Sequence, residues 1–318
     1  MKRLFIIGNG FDVAHGFKTR YSDFKTWIEN QFPNANPTDT LPLAFFSSGV
    51  SPQEDYIEGL KFLKELFDSN IDLDDEWNSF ENSLTSLPIY EKCQELIDFI
   101  VEPNEAFDNP ARYDDVSVDI AGIIQKNINM IPDYFRDWIE SVDIGNPNCK
   151  LLVSDYFSSD SLFINFNYTE TLENVYGIPE SQICHIHGDR CVLGDKLIVG
   201  HSESYNFSEQ KLEFDCPGVS PMLDEAIALL EKNTDYVIEH NKAFLCNLDD
   251  SITDVYVYGF AFGPQDIPYV NYICKHIKSN ATWHLSDYHS ETKRREIADL
   301  LKTLGCKGNI LTFNYRSK

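Results

Sequence analysis

Five short segments carry residue types that could bind or act on a small ligand. The first is Gly8-Asn9-Gly10-Phe11-Asp12, with Gly16 further on. Paired glycines let a backbone turn tightly and approach a diphosphate, and a helix starting there offers free N–H groups to an anion. The spacing is not GxGxxG, because Val13 stands at the third glycine position. No second strand follows to carry the acid that usually closes a dinucleotide site. The plainer alternative is a strand-to-helix turn with Asp12 as N-cap. The second segment is Phe166-Asn167-Tyr168-Thr169-Glu170. Asn165 and Asn167 share a strand face, and the Asn167 amide could hold a ribose hydroxyl, a carboxamide or a water. Asn167 three residues before Glu170 is also a helix-start signature.

The third segment is Cys184-His185-Ile186-His187-Gly188. His187 stands at a strand end, where an imidazole can act as general base near neutral pH; His185 lies deeper and reads as a core histidine. The fourth, Gly200-His201-Ser202-Glu203, has no GxSxG elbow around its serine, so serine-hydrolase chemistry has little support. The fifth runs from Val255 to Asp266, with Gly259-Phe260 and Gly263 allowing close backbone approach to a ligand. Trp77 and Glu81 lie four apart and share a helix face. Cys184-His-x-His-x3-Cys191 lacks the CxxC or HxxxH spacing usual for zinc, so no metal is expected.

These segments need elements to position them. Lys2–Gly8 predicts a buried first strand, and Phe17, Tyr21, Phe24, Trp27 and Ile28 a helix after it. From Asn34 to Pro52 the chain reads as loop. Residues 54–142 read as mostly helical, with stripes at Tyr56-Leu60-Leu63-Leu66-Phe67, at Trp77-Phe80-Leu84 and over Ile123–Ile139. After Lys150 strands alternate with helices. The expected strands are 161–167, 183–187, 196–201, 254–259, 281–286 and 310–313; the expected helices are 169–176, 220–245, 265–277 and 290–304. That alternation predicts an α/β fold with a mostly parallel sheet, right-handed crossovers and ligands at the carboxyl ends of its strands. Residues 1–33 and 150–318 are then the Rossmann-like core, and 34–149 a large helical insertion or cap.

Composition narrows the function classes. The 318 residues hold 51 acids against 26 bases, a formal net charge of -25. Such a surface repels phosphate backbones, which excludes nonspecific nucleic-acid binding. The longest basic run, Lys293-Arg294-Arg295, is flanked by Glu291 and Glu296 and reads as a solvated helix face. A nuclease needs acidic metal ligands beside basic substrate contacts, and no such cluster assembles. No apolar run approaches the roughly 20 residues that span a bilayer, and Leu4–Ile7 is too short for a signal peptide. No membrane association and a cytoplasmic location are expected. The eight cysteines stand singly, which argues against a disulfide framework.

Taken together, IIGNGFDVAHGFKTRYSDF, WNSFE, FNFNYTETLE and ICHIHG resemble the AbiH family of phage abortive-infection proteins. VYVYGFAFGPQD is similar to the matching segment of sirtuin-like domains in antiphage defence. The likeness spans nearly the whole chain and rests on motif order. It implies a sirtuin-like sheet with a helical insertion and NAD as substrate or ligand, hydrolysed to nicotinamide and ADP-ribose. On that analogy Gly8 and Gly10 approach the diphosphate, with Asn9 and Phe11 among the cofactor-binding residues, and Asn167 orients the nicotinamide ribose or the attacking water. His187 serves as base, and Asp12, Glu81, Tyr168, Gly188, Gly259 and Phe260 add contacts. It also implies a phage-derived trigger protein as partner and leaves room for a homo-oligomer. The chain departs from sirtuin deacylases in lacking two CxxC pairs, in Asn9 and Phe11, and it has Thr169 where defence domains carry Asp. Lysine deacylation is disfavoured. A non-catalytic nucleotide-binding sensor or protein-interaction module is the alternative.

Overall fold

The computed structural model describes residues 2–31, 52–69, 81, 84, 87–102, 105–148, 151–192, 194, 197–201 and 216–314. The chain forms two compact units. The first comprises residues 1–20, 136–198 and 233–318, and the second residues 21–135 and 199–232.

The first unit is built on six parallel strands: β1 Lys2–Ile7, β2 Leu162–Asn165, β3 Ile183–His185, β4 Ile252–Tyr258, β5 Thr282–Ser286 and β6 Ile310–Phe313. Their order is β3-β2-β1-β4-β5-β6. The chain works outward from β1 in one direction, returns, and works outward in the other, the doubly wound order of a Rossmann-like fold. Register places Ile7 beside Asn165 and Tyr258, and Asn165 beside His185. The loops leaving β1, β2, β3 and β4 therefore start at one level, and the order reverses between β1 and β4.

The sequence dictates this centre. Residues Leu4–Ile7 are all fully buried, as a strand covered on both faces requires. Successive side chains point oppositely. Leu4 and Ile6 join Ile164, Val255 and Val257 in one apolar cluster, while Phe5 and Ile7 join Phe163, Tyr256 and Tyr258 in the other. Phe5 stacks between Phe163 and Tyr256 at 4.9 and 5.1 Å.

The second unit contains the helices Tyr21–Asn30, Pro52–Ser69, Ile89–Ile100, Glu105–Asp108, Pro110–Asn129 and Val219–Ala228. Of the expected stripes, Trp77 and Phe80 lie outside the described residues. No helix among the described residues is long and apolar enough to cross a membrane.

The expected elements differ from the structure in four places. Residues 197–200 form no strand, and His201 makes only an isolated bridge to Glu231. The helix expected over 220–245 is three: Val219–Ala228, Thr234–His240 and Lys242–Leu245. It breaks because Leu230 O and Lys232 N–H turn away to pair with His201, and because the Asn233 side chain caps the next helix by accepting from Tyr236 N–H at 2.9 Å. The stripe over Ile123–Ile139 is divided at Met130 between helices Pro110–Asn129 and Ile131–Ser141. The helix expected from Thr169 begins at Thr171, and Asn167 does not cap it.

Candidate functional site

The glycine turn after β1 is explained first by packing. Gly8 and Gly10 lie backbone to backbone on the loop after β4, and a Cβ on Gly8 would come 2.5 Å from Gly259 O. A Cβ on Gly259, whose φ is +66°, would come 2.4 Å from Phe11 N. The Gly8 and Gly10 amides donate to Tyr258 O and Gly259 O, each at 3.0 Å. These glycines let the two loops at the switch point interlock. Their amides are spent inside the protein, so a diphosphate would meet other groups. Phe262, on the same β4 loop, is a buried non-glycine residue at φ +56°, strain of the kind concentrated at functional sites.

The helix Gly10–Ala14 carries Asp12 inward, where it is 1% exposed. It is not the N-cap, which is Asn9. The Asp12 carboxylate accepts from the Thr169 hydroxyl and, at 2.7 Å, from Thr171 Oγ1. Burial pushes its carboxyl up to about 6, while the two threonines, the Arg190 charge and the Asn167 amide pull the other way. Asn167 is itself buried, and its backbone N–H donates to Asn165 Oδ1 at 3.1 Å. Asn167 Nδ2 makes no hydrogen bond of good geometry, although it lies near enough to Asp12 to favour the charged carboxylate. A buried amide donor left over beside a carboxylate is a ready contact for a polar ligand.

His187, just beyond β3, is 3% exposed and boxed by aromatic rings: Phe166 at 5.3 Å, Tyr269 at 5.7 Å and Tyr168 at 6.1 Å. Its Nε2 lies 4.0 Å from Asp266 Oδ1, which the turn after β4 supplies. Phe166 also packs on Phe260 at 4.4 Å. Tyr168 turns its hydroxyl to Ile198 O at 2.8 Å. Gly188 takes φ +89° to turn the chain after the histidine. Asp12, Asn167, Tyr168, His187, Gly188, Gly259 and Phe260 thus share one end of the sheet.

Beside them lies a charged cluster that sequence spacing did not reveal. His185 Nε2 is 2.8 Å from Glu173 Oε1 and 3.8 Å from Asp189 Oδ2, and its Nδ1 lies 3.3 Å from Asn167 O. Burial alone would lower the His185 pKa, but Glu173 and Asp189 outweigh it and the imidazole is held above its usual range. Carbonyl on one side and carboxylate on the other suit an imidazolium, which donates from both nitrogens. Glu173, His185 and Asp189 each bring a ligand atom within 4.8 Å of the others, the residue types that could hold a divalent cation. Arg190 forks onto Glu170 at 2.8 and 2.9 Å and donates to Ile139 O and Val142 O. This clamps the loops after β2 and β3 together and holds Glu170 below the carboxylate range against the opposing effect of burial. His15 donates to Phe11 O and receives from the Tyr176 hydroxyl, both at 2.7 Å, fixing the helix that carries Asp12. Only side-chain class, scattered along the chain from His15 to Arg190, marked these groups in the sequence.

Glu81 belongs to the second unit, where it pairs at 2.6 Å with Lys232, whose side chain is fully buried. His201 lies in that unit also, its Nε2 3.2 Å from Ile227 O.

No curated protein and no solved structure matches the chain. The family model described as "Bacteriophage abortive infection AbiH" matches residues 4–287, a stretch from β1 into the turn after β5 that includes every residue of this site. With that match over most of its length, the chain belongs to the AbiH family of bacteriophage abortive-infection proteins.

Proposed function

We propose that this AbiH protein binds an NAD-type dinucleotide at the carboxyl end of its sheet and hydrolyses the N-glycosidic bond, giving nicotinamide and ADP-ribose. One observation carries the reading: two pairs, Asp12 with Asn167 and His187 with Asp266, come from four separate loops at the carboxyl end of a doubly wound sheet. Ligands of such sheets lie in that crevice. In the reaction, the carbon–nitrogen bond to nicotinamide breaks as a water oxygen bonds to the anomeric carbon. His187 takes the water proton, with Asp266 beside it to stabilise the imidazolium. The Asn167 amide orients the ribose or the water. The motif likeness to sirtuin-like defence domains supports NAD over other nucleotides.

The burial of His187 in its aromatic box favours a second reading, a nucleotide-binding sensor without turnover. Purified protein incubated with NAD, with and without lysate from phage-infected cells, separates the two by chromatography. Nicotinamide release that His187→Ala abolishes supports hydrolysis. Saturable binding without product supports the sensor. Full release by a folded His187→Ala variant removes His187 from the base role.

A further inference from the structure

Cys274 and Cys306 form a facing pair of thiols in the first unit. Their Sγ atoms are 3.0 Å apart, inside the contact distance of two non-bonded sulfurs, and both residues are unbridged. Cys274 sits in the last turns of helix Ile267–His276. Cys306 follows helix Glu291–Thr303 at a tight turn where Gly305 takes φ +96°. Both side chains are covered, 7% and 8% exposed, but Cys306 lies directly between the exposed Gly305 and Lys307. A small neutral oxidant therefore needs to penetrate only one residue deep.

From this geometry we propose that Cys274 and Cys306 are a redox modification site, closed to a disulfide by a hydroperoxide. The two sulfurs are already neighbours, so closing the bond needs little movement. In this contact either sulfur can donate its S–H to the other, so deprotonating one thiol leaves its thiolate hydrogen-bonded to its partner. Cys306 is the attacking sulfur, because both of its chain neighbours are exposed whereas Ile273 beside Cys274 is buried; it reacts as the thiolate. Its sulfur attacks the peroxide oxygen, the O–O bond breaks, and the departing alkoxide or hydroxide takes a proton, leaving Cys306 as a sulfenic acid. The Cys274 sulfur then attacks the sulfenyl sulfur. The S–O bond breaks, and hydroxide leaves as water with the Cys274 proton. Two thiols lose one electron each and the peroxide gains two. The neighbour's proximity makes the second step intramolecular and fast.

The bond would tie the far end of helix Ile267–His276 to the turn after Glu291–Thr303. That first helix begins immediately after Asp266 and carries Tyr269, both against His187. Oxidation thus fastens one wall of the candidate site without touching its reacting groups.

The test treats the full chain with stoichiometric hydrogen peroxide, alkylates it and maps its cysteines by mass spectrometry. A Cys274–Cys306 cross-linked peptide, reversed by dithiothreitol, is expected. So is a rise in melting temperature of roughly 5 °C or more, because the bond closes a loop of about 30 residues in the unfolded chain. The rise should vanish in Cys306→Ala. The proposal is overturned if Cys274 and Cys306 stay alkylatable at a peroxide dose that oxidises the exposed Cys191 and Cys246. It is overturned equally if the bond forms but lowers the melting temperature, which would mean the thiols are not pre-positioned. Because the wild-type chain alone supplies the mapping, a poorly folding variant does not obscure the result.

Discussion

Replacing Asp12 by Asn should stabilise the protein at alkaline pH. Asp12 is fully enclosed, and burial is the largest influence on it, raising its carboxyl from 3.8 to about 6 despite two threonine donors. A carboxyl raised on folding binds its proton more tightly in the native state. Stability is then unaffected below about pH 4, falls as pH rises from about 4 to 6, and stays lower above that. At about 1.4 kcal/mol per tenfold change in proton affinity, the charged carboxylate costs about 3 kcal/mol at pH 8. The Asp12→Asn change removes the charge and keeps an oxygen to accept from one threonine, while the other hydroxyl rotates to accept from the new amide. Some packing around the larger NH2 will be lost, so a gain of roughly 1–3 kcal/mol is expected at pH 8 and close to none at pH 4. The assay is urea unfolding of wild type and Asp12→Asn at half-unit steps from pH 4 to 8, followed by fluorescence. Subtracting the two curves cancels the other carboxylates. A difference that does not change with pH, or a variant less stable at every pH, would refute the assignment of a costly buried charge. A charge kept at such cost also fits a functional site better than a structural one.

The interlock of the β1 and β4 loops makes Gly259→Ala destabilising by about 3 kcal/mol or more, since a Cβ would meet Phe11 N at 2.4 Å from a φ of +66°; a near-neutral melting temperature would show that the loops do not meet this way. For His185, whose folded pKa is raised, stability is fully present below its ordinary value of 6.5 and is lost as pH rises through the folded value. Glu173→Gln should therefore destabilise the protein at pH 6 and matter progressively less as pH rises beyond that, and NMR titration should find His185 shifted down in the variant.

Some of this was legible in the chain and some was not. The short, continuous apolar run Leu4–Ile7 reads as a buried strand, and the strand–helix alternation after residue 150 as a mostly parallel sheet. Period and length carry that information locally. The ends of β1 to β4 were readable to within two residues for the same reason, so the segments bearing Asp12, Asn167, His187 and Gly259 stood out. What tertiary structure alone decided is what those residues do for one another. Gly8 and Gly10 are small because Gly259 lies against them about 250 residues away, not visibly because of a ligand. Asp12 became a buried acid with a raised carboxyl only when distant segments enclosed it, with Thr169 and Thr171 donating to it and opposing the rise. Residues 197–201 have a strand's composition yet make no ladder, and 220–245 a helix's composition yet break where backbone groups turn to His201. Local propensity sets which conformations are cheap, whereas burial, partner atoms and backbone crowding arise only when distant segments meet.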